Sequence, residues 1–318
     1  MEISAIQNLD IAIHPLDGLE TTVGDTPLLP LNNLTRQLSP RVRVYAKAEW
    51  FNPAGSVKDR PALNIIRTAL ADGSLVTGKR LLDSTSGNMG ISYSTFCASL
   101  GIPATLVMPA NASPERVTIM RALGAELILS DPLEGSDGAI RTARQLFEEH
   151  PDLYFYANQY DNPANWLAHF NTTGPEIYQA TGGEITHFIA GMGTTGTITG
   201  VTRFLRQYKP EVRVIALQPD NALHGLEGLK HLGSTILPEI YDPDLPDRIK
   251  TVSTEQAHNM VRRLAREEGL FVGVSSGAAA AAAFQVAREL EQGLIVTVFP
   301  DAGYKYLSDK NIWKDQQL

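Results

Sequence analysis

Two textures of hydrophobic and polar positions alternate along the chain. Short aliphatic and β-branched runs read as strands: VRVYAKAEW (42–50), RLLDST (80–85), ATLVMP (104–109), AELILS (125–130), THFIAGM (186–192), RVIALQP (213–219) and LIVTVFP (294–300). Between them, helical spacing recurs in ALNIIRTALADG (62–73), NMGISYSTFCASLG (88–101), SPERVTIMRALG (113–124), GAIRTARQLFEEH (138–150), GTITGVTRFLRQYK (196–209) and TEQAHNMVRRLAREEG (254–269). This alternation predicts a parallel α/β architecture. The alanine run in SSGAAAAAAFQVARELEQG (275–293) predicts a strong helix. No internal repeat or low-complexity linker interrupts the pattern. The segment from about 51 to 160 carries four strand–helix units and predicts a small domain of its own. Residues 1–50 and 161–318 would then build a larger one.

One helix start is anomalous. The pattern predicts a helix from about Val57 to Ala71, with Ser56 as N-cap and Pro61 in the first turn. Lys58 then faces the positive end of the helix dipole, at a cost of roughly 0.3–1 kcal/mol that Asp59 can offset. Either Lys58 is an ordinary solvated lysine, or it is not a free ammonium.

Composition narrows the classes. With 318 residues, 43% hydrophobic and 19% charged, the chain is long enough for two domains with sizeable cores. A net charge of −8 argues against nucleic acid or an anionic membrane as partner. One cysteine, Cys97, excludes an intrachain disulfide and is expected to pack in an apolar helix. The seven histidines show no metal-ligand spacing, so no metal is expected. MEISAIQNLDIAIHPLDG lacks a basic segment followed by an apolar run, and no stretch approaches the roughly 18–20 apolar residues of a membrane span. A reducing cytoplasmic setting is expected.

Candidate chemistry gathers at three turns. LLDSTSGNMGISYS places Thr85, Ser86, Gly87 and Asn88 at a helix start. FIAGMGTTGTITG does the same with Gly193, Thr194, Thr195, Gly196 and Thr197. Helix N-termini offer unpaired N–H groups to anions, and small residues allow close approach. GMGTTG also matches the dinucleotide spacing G-x-G-x-x-G, with Asp220 or a neighbour as the acidic residue about twenty positions on, a minor alternative. In GLFVGVSSGAAAAAA, Ser275 or Ser276 is expected to cap a helix or meet a ligand. One amine, two anion cradles and a hydroxyl-bearing turn together fit pyridoxal phosphate. A lysine forms its Schiff base, one cradle takes its phosphate, and the other takes a substrate carboxylate.

NPAGSVKDRPA, TSGNMGIS, GMGTTGTITG, VGVSSGAAAAA and PDAGYKYLS, in this order, resemble the signature set of fold-type II pyridoxal-phosphate enzymes. More narrowly they resemble cysteine synthases (O-acetylserine sulfhydrylases), and the Gly-Thr-Thr-Gly-Thr loop resembles the B-type. The likeness runs from GDTPLLPLNNL to YLSD, nearly the whole chain. It implies a tryptophan synthase β-like α/β fold, with two open, twisted, mostly parallel sheet domains and the cofactor in the cleft between them. The resemblance further implies that Lys58 forms the Schiff base and moves the substrate's α-proton. By the same likeness Asn88 bonds the cofactor's 3-hydroxyl, Gly193, Thr194, Thr195, Gly196 and Thr197 enclose its phosphate, and Ser275 faces its ring nitrogen. Thr85, Ser86, Gly87 and Gln159 would receive the substrate carboxylate. Met89 stands where the family usually has threonine, so a hydroxyl near that carboxylate is absent.

The implied activity is β-replacement on an O-activated L-serine, O-acetylserine or O-phosphoserine, giving L-cysteine from sulfide or a sulfide donor. Alternatives are another nucleophile, such as homocysteine or an amino acid, or a catalytically silent cofactor-binding regulator. A homodimer is implied, without nucleic-acid or membrane partners. Lys230 and His231 in NALHGLEGLKHLG read as entrance residues, solvated or able to meet an anion, and Pro300 and Asp301 as support beside the cofactor ring.

Overall fold

The computed structural model describes residues 18–85 and 87–313. The N-terminal stretch read for a secretory signal lies largely outside the described residues, as does Ser86 of the predicted carboxylate cradle.

The strands are β1 (Leu28–Pro30), β2 (Val42–Ala48), β3 (Arg80–Ser84), β4 (Ala104–Pro109), β5 (Glu126–Ser130), β6 (Tyr154–Tyr156), β7 (His187–Gly191), β8 (Arg213–Pro219), β9 (Arg248–Val252) and β10 (Gly293–Phe299). They form a six-stranded sheet, β1-β2-β10-β7-β8-β9, and a four-stranded sheet, β5-β4-β3-β6. Among the described residues β1 runs antiparallel to β2, and every other pairing is parallel. The α/β expectation therefore holds. Because β2 and β10 pair in register (Lys47 opposite Val298, Ala48 opposite Phe299), the four-stranded sheet is inserted between neighbours of the larger one.

Burial follows position. Strand β4, paired on both sides, is buried along its whole length, as a parallel strand covered on both faces must be. Edge strand β9, RIKTV, is largely exposed, with Arg248 and Lys250 ion-paired to Glu289, and β1 and β6 are three residues long. None of these three carries an apolar run long enough to be read from sequence.

The helices are α1 (Asn32–Thr35), α2 (Asp59–Ala71), α3 (Asn88–Leu100), α4 (Pro114–Ala122), α5 (Gly135–Glu149), α6 (Pro163–Ala168), α7 (Gly174–Ala180), α8 (Gly196–Tyr208), α9 (Thr254–Arg263) and α10 (Val274–Ala287). A π turn, His169–Thr173, joins α6 to α7. Gly174-Pro175 breaks the periodicity there, which hid both helices from the sequence pattern. The alanines of α10 are buried on all sides, in one core with Val261, Ile295 and Phe299; small side chains let the helix lie close to its neighbours. Among the described residues no helix is long and apolar enough to cross a membrane.

Two helix starts correct the expectations. Helix α2 begins at Asp59, with Lys58 itself in the cap position. Ser56 is not the cap; its Oγ accepts the Lys58 N–H at 3.3 Å, and its backbone bridges Asp301. Helix α10 is capped by Gly273, so Ser275 and Ser276 both lie inside its first turn.

Candidate active site

Parallel strands bring their C-terminal ends, and hence their loops, to one rim, where ligands bind in open α/β sheets. Both sheets deliver loops to a cavity of about 420 Å³. Lys58, Thr85, Gly87, Asn88, Met89, Gln159, Gly193, Thr194, Thr195, Gly196, Thr197 and Ser275 all line it.

The segment carrying Lys58 is fastened on three sides. The Val57 N–H donates to Pro300 O at 2.8 Å, tying it to the end of β10. The buried Asp59 carboxylate accepts from Ala54 N at 2.7 Å and Ser92 Oγ at 2.5 Å. Burial lowers the Lys58 pKa to about 8, although the Asp301 carboxylate pulls the other way. A lysine near 8 supplies neutral amine at physiological pH, which an ordinary lysine does not.

Across the cavity, the turn after β7 forms the first anion cradle. Thr195 is held at φ 68° as the cap of α8, a left-handed conformation that costs a non-glycine residue on the order of 1 kcal/mol. Its buried hydroxyl has no partner among the described residues. Thr194 Oγ1 accepts from Asn165 Nδ2 at 3.1 Å, and Thr197 Oγ1 lies 3.3 Å from His169 Nε2. Burial, reinforced by the nearby Arg60 and Lys58 charges, pushes the His169 pKa well below its ordinary value, so the ring is neutral. A Cβ on Gly193 would stand 2.3 Å from the Gly228 carbonyl oxygen, and one on Gly196 would stand 2.0 Å from Asn165 Oδ1. Since Gly228 meets Gly193 with backbone, Gly193→Ala must displace the loop. We expect a roughly tenfold to hundredfold loss of cofactor affinity from overpacking, measured by titrating the apoprotein.

The second cradle is shaped by its own hydroxyl. Thr85 Oγ1 accepts from Gly87 N at 3.0 Å and Gly90 N at 2.9 Å, folding the loop onto the start of α3. Gln159 is locked beside it, donating from Nε2 to Ser84 O at 2.6 Å and from its backbone to Asp83 Oδ2 at 3.2 Å. Burial lifts Asp83 to about 7 against the hydrogen bonds it accepts from the Ser84 and Gln159 backbones and from Tyr93. Met89 is buried at the cavity wall.

Some site features had no sequence signal strong enough to find them. Arg116 of α4 reads as one charge on a surface helix, yet it is buried in the cavity wall. It ion-pairs with Glu227 from the opposite side and stacks over Tyr306 at 4.9 Å. Lys230 is neither solvated nor open to an anion. Its Nζ is buried 3.2 Å from Asp137 Oδ1 and 4.5 Å from the centre of the Tyr160 ring. His231 bonds Ser234 Oγ at 2.9 Å and does not line the cavity. Cys97 is buried in α3, and burial pushes its thiol up to about 12, the packing role expected of it.

A part-neutral lysine facing a helix-N-terminal anion cradle, with a second cradle alongside, defines an enzyme cleft for a phosphorylated carbonyl compound. The family model described as pyridoxal-phosphate dependent enzyme matches residues 19–301, and the chain belongs to that family. It is 52% identical to a cysteine synthase of Aquifex aeolicus, over 90% of this chain and 89% of that one. A cysteine synthase B of Pseudomonas aeruginosa is 44% identical over 90% and 94%. Among solved structures, cysteine synthase of Entamoeba histolytica superposes with a TM-score of 0.89 at 35% identity, covering 100% of this chain and 96% of that one. The cradle fits the family's cofactor. The orphaned Thr195 hydroxyl leaves donor capacity for a phosphate, and Gly193 and Gly196 let the turn close against Gly228 and Asn165, with Lys58 in the same cavity for the aldehyde.

Proposed function

We propose that the protein is a cysteine synthase, replacing the β-substituent of O-acetyl-L-serine by sulfide. The observation that carries this reading is the shared cavity of Lys58, the Gly193–Thr197 turn and the Thr85–Met89 turn. When bound, pyridoxal phosphate supplies an aldehyde that links to amines and a ring that withdraws electrons from the carbon beside them.

The chain's own residues do the rest. Thr194, Thr195 and Thr197 would hold the phosphate, and Asn88 would donate to the 3-oxygen. Ser275 would meet the ring nitrogen as a neutral hydroxyl, which favours its protonation less than a carboxylate would. Thr85, Gly87 and Gln159 orient the substrate carboxylate, with Met89 closing the wall. Lys58 takes the α-proton as acetate leaves the β-carbon. Sulfide then adds at that carbon, and Lys58 returns the proton to the α-carbon.

The charge arrangement supports an acetyl rather than a phosphoryl leaving group. Arg116 and Lys230, the cations at the mouth, are already matched by Glu227 and Asp137. We further propose that residues 51–160 form a small domain closing over the cavity against 1–50 and 161–318. In support, Asp137 of α5 accepts from Lys230, Thr235 and Ile236 of the facing loop at 3.0–3.2 Å. Homodimerisation is proposed on the family likeness.

Adding O-acetyl-L-serine to the holoprotein should deplete its visible band, and sulfide should restore it. A band that O-acetyl-L-serine leaves unchanged would contradict the donor. Restoration by homocysteine or amines but not by sulfide would contradict the acceptor. Inertness to every activated serine would mark a regulator.

A further inference from the structure

After β10 the chain reads Pro300-Asp301-Ala302-Gly303-Tyr304-Lys305-Tyr306 and turns back beneath the cavity. Lys305 has three N–H donors, and the structure gives them three oxygens: Asn88 Oδ1 at 2.9 Å, Gly55 O at 3.2 Å and Ala54 O at 3.4 Å. The other end of the Asn88 amide is held as well. Its Nδ2 donates to Asp301 Oδ2 at 2.8 Å, and that oxygen also accepts from Tyr306 O–H at 2.9 Å. Asp301 is fully buried.

Flipping the amide would set its NH₂ against an ammonium and its oxygen against a carboxylate. The orientation is therefore fixed by two charge-assisted bonds of opposite sense. An amide whose oxygen is bonded to a cation is also polarised, so its remaining N–H is a stronger donor. Lys305 reaches the cavity through Asn88 and through the loop just before Lys58.

We propose that Lys305 is a positioning residue for the reaction, using its charge to orient and polarise Asn88 so that the ring oxygen of the cofactor is held in its ionised form. The inference rests on the reading of Asn88 given under Proposed function. Ionisation of that oxygen is visible in the holoprotein. The ionised form absorbs in the visible, at about 410 nm, and the neutral form in the near-ultraviolet, at about 330 nm, by general chemistry of this cofactor.

The test uses the full-length holoprotein and its Lys305→Met, Lys305→Gln and Lys305→Arg variants, each also combined with Asn88→Ala. Three quantities are measured: the visible to near-ultraviolet absorbance ratio, the cofactor dissociation constant, and the thermal midpoint as a folding control. Lys305→Met should lower the ratio several-fold and weaken cofactor binding about tenfold, as loss of one charge-assisted bond implies. Lys305→Gln, which keeps a donor without charge, should fall between, and it carries the comparison if the Met variant does not fold. Lys305→Arg should restore most of the wild-type ratio. In the Asn88→Ala background, Lys305→Met should change the ratio no further.

A wild-type ratio in both Lys305→Met and Lys305→Gln, beside an altered one in Asn88→Ala, would overturn this inference and leave the reading of Asn88 standing. An equal effect of Lys305→Met with and without Asn88 would overturn it too, because the lysine would then act on the backbone alone. A wild-type ratio and affinity in Asn88→Ala would overturn the assignment of Asn88, and this inference with it.

Discussion

Lys58→Ala should make cysteine at least on the order of 10³-fold more slowly than the wild type, and its pyridoxal phosphate should be released by gel filtration. The size follows from removing the group proposed both to link the cofactor and to move the α-proton, for which general acid–base catalysis alone accounts for about 10²–10⁴-fold. Position matters as much as identity. Lys58 is held by Val57 to the end of β10 and by Asp59 to Ala54 and Ser92, which fixes where its amine meets the cavity. The same burial that lowers the lysine to about 8 sets a pH dependence in the apoprotein. A lowered lysine pKa means more neutral amine as pH rises, so the rate of cofactor capture should climb through pH 8 and level off above it. In a stopped-flow series an ordinary lysine would still be climbing near 10.5.

Arg60→Met carries the largest expected loss of stability. Two residues beyond Lys58, Arg60 is buried with Glu49, which is fully buried, and with Glu176 of α7. Its Nε donates to Glu49 Oε2 at 2.7 Å, and Nη1 to Glu176 Oε1 at 2.6 Å. Lys47 completes a balanced set, 2.6 Å from Glu176. Removing the guanidinium strands a carboxylate in the interior, which costs about 3–5 kcal/mol. That corresponds to about 5–8 °C in the thermal midpoint of a chain this size.

The sign of the pH effect follows from the partners. Burial alone would raise both glutamates, but Arg60 and Lys47, with Thr26 bonding Glu49, hold them below their ordinary value of 4.5. Their stabilisation is therefore complete above about pH 4.5 and is lost as the pH falls through their folded-state values. Wild type should lose stability in acid through these groups, and Arg60→Met should already lack it at neutrality. Calorimetry at pH 7 and pH 4 separates the two. A midpoint within 1–2 °C of wild type at pH 7 would mean that the network contributes little, as some buried ion pairs do.

What the sequence made legible followed from local rules. Seven strands stood out as short aliphatic and β-branched runs, the inner ones because a parallel strand covered on both faces is buried along its length. Lys58 stood out because a cation at a helix start opposes the dipole. The Gly193–Thr197 turn, weak evidence by itself because most such turns merely cap a helix, stood out only beside the lysine and the second cradle. Other features depend on partners far along the chain. Arg116 becomes a cavity residue only when Glu227 and Tyr306 fold against it. Lys305 becomes a clamp only when the end of β10 returns to α3. Lys230 misled in the opposite sense: its loop composition reads as solvated, and only the arrival of Asp137 from the other sheet buries it. Helix caps failed for a related reason. At Ser56 and Ser275 the serines that local rules assign to capping turn elsewhere, Ser56 to the backbone of Lys58 and Ser275 into the cavity wall.

The claim beneath all of this is that the amine of residue 58 carries the cofactor. Reducing freshly isolated holoprotein with borohydride and mapping its peptides tests that most directly. The account predicts a stable phosphopyridoxyl group on Lys58 and on no other lysine. An unmodified Lys58, or a label on another residue, would contradict it.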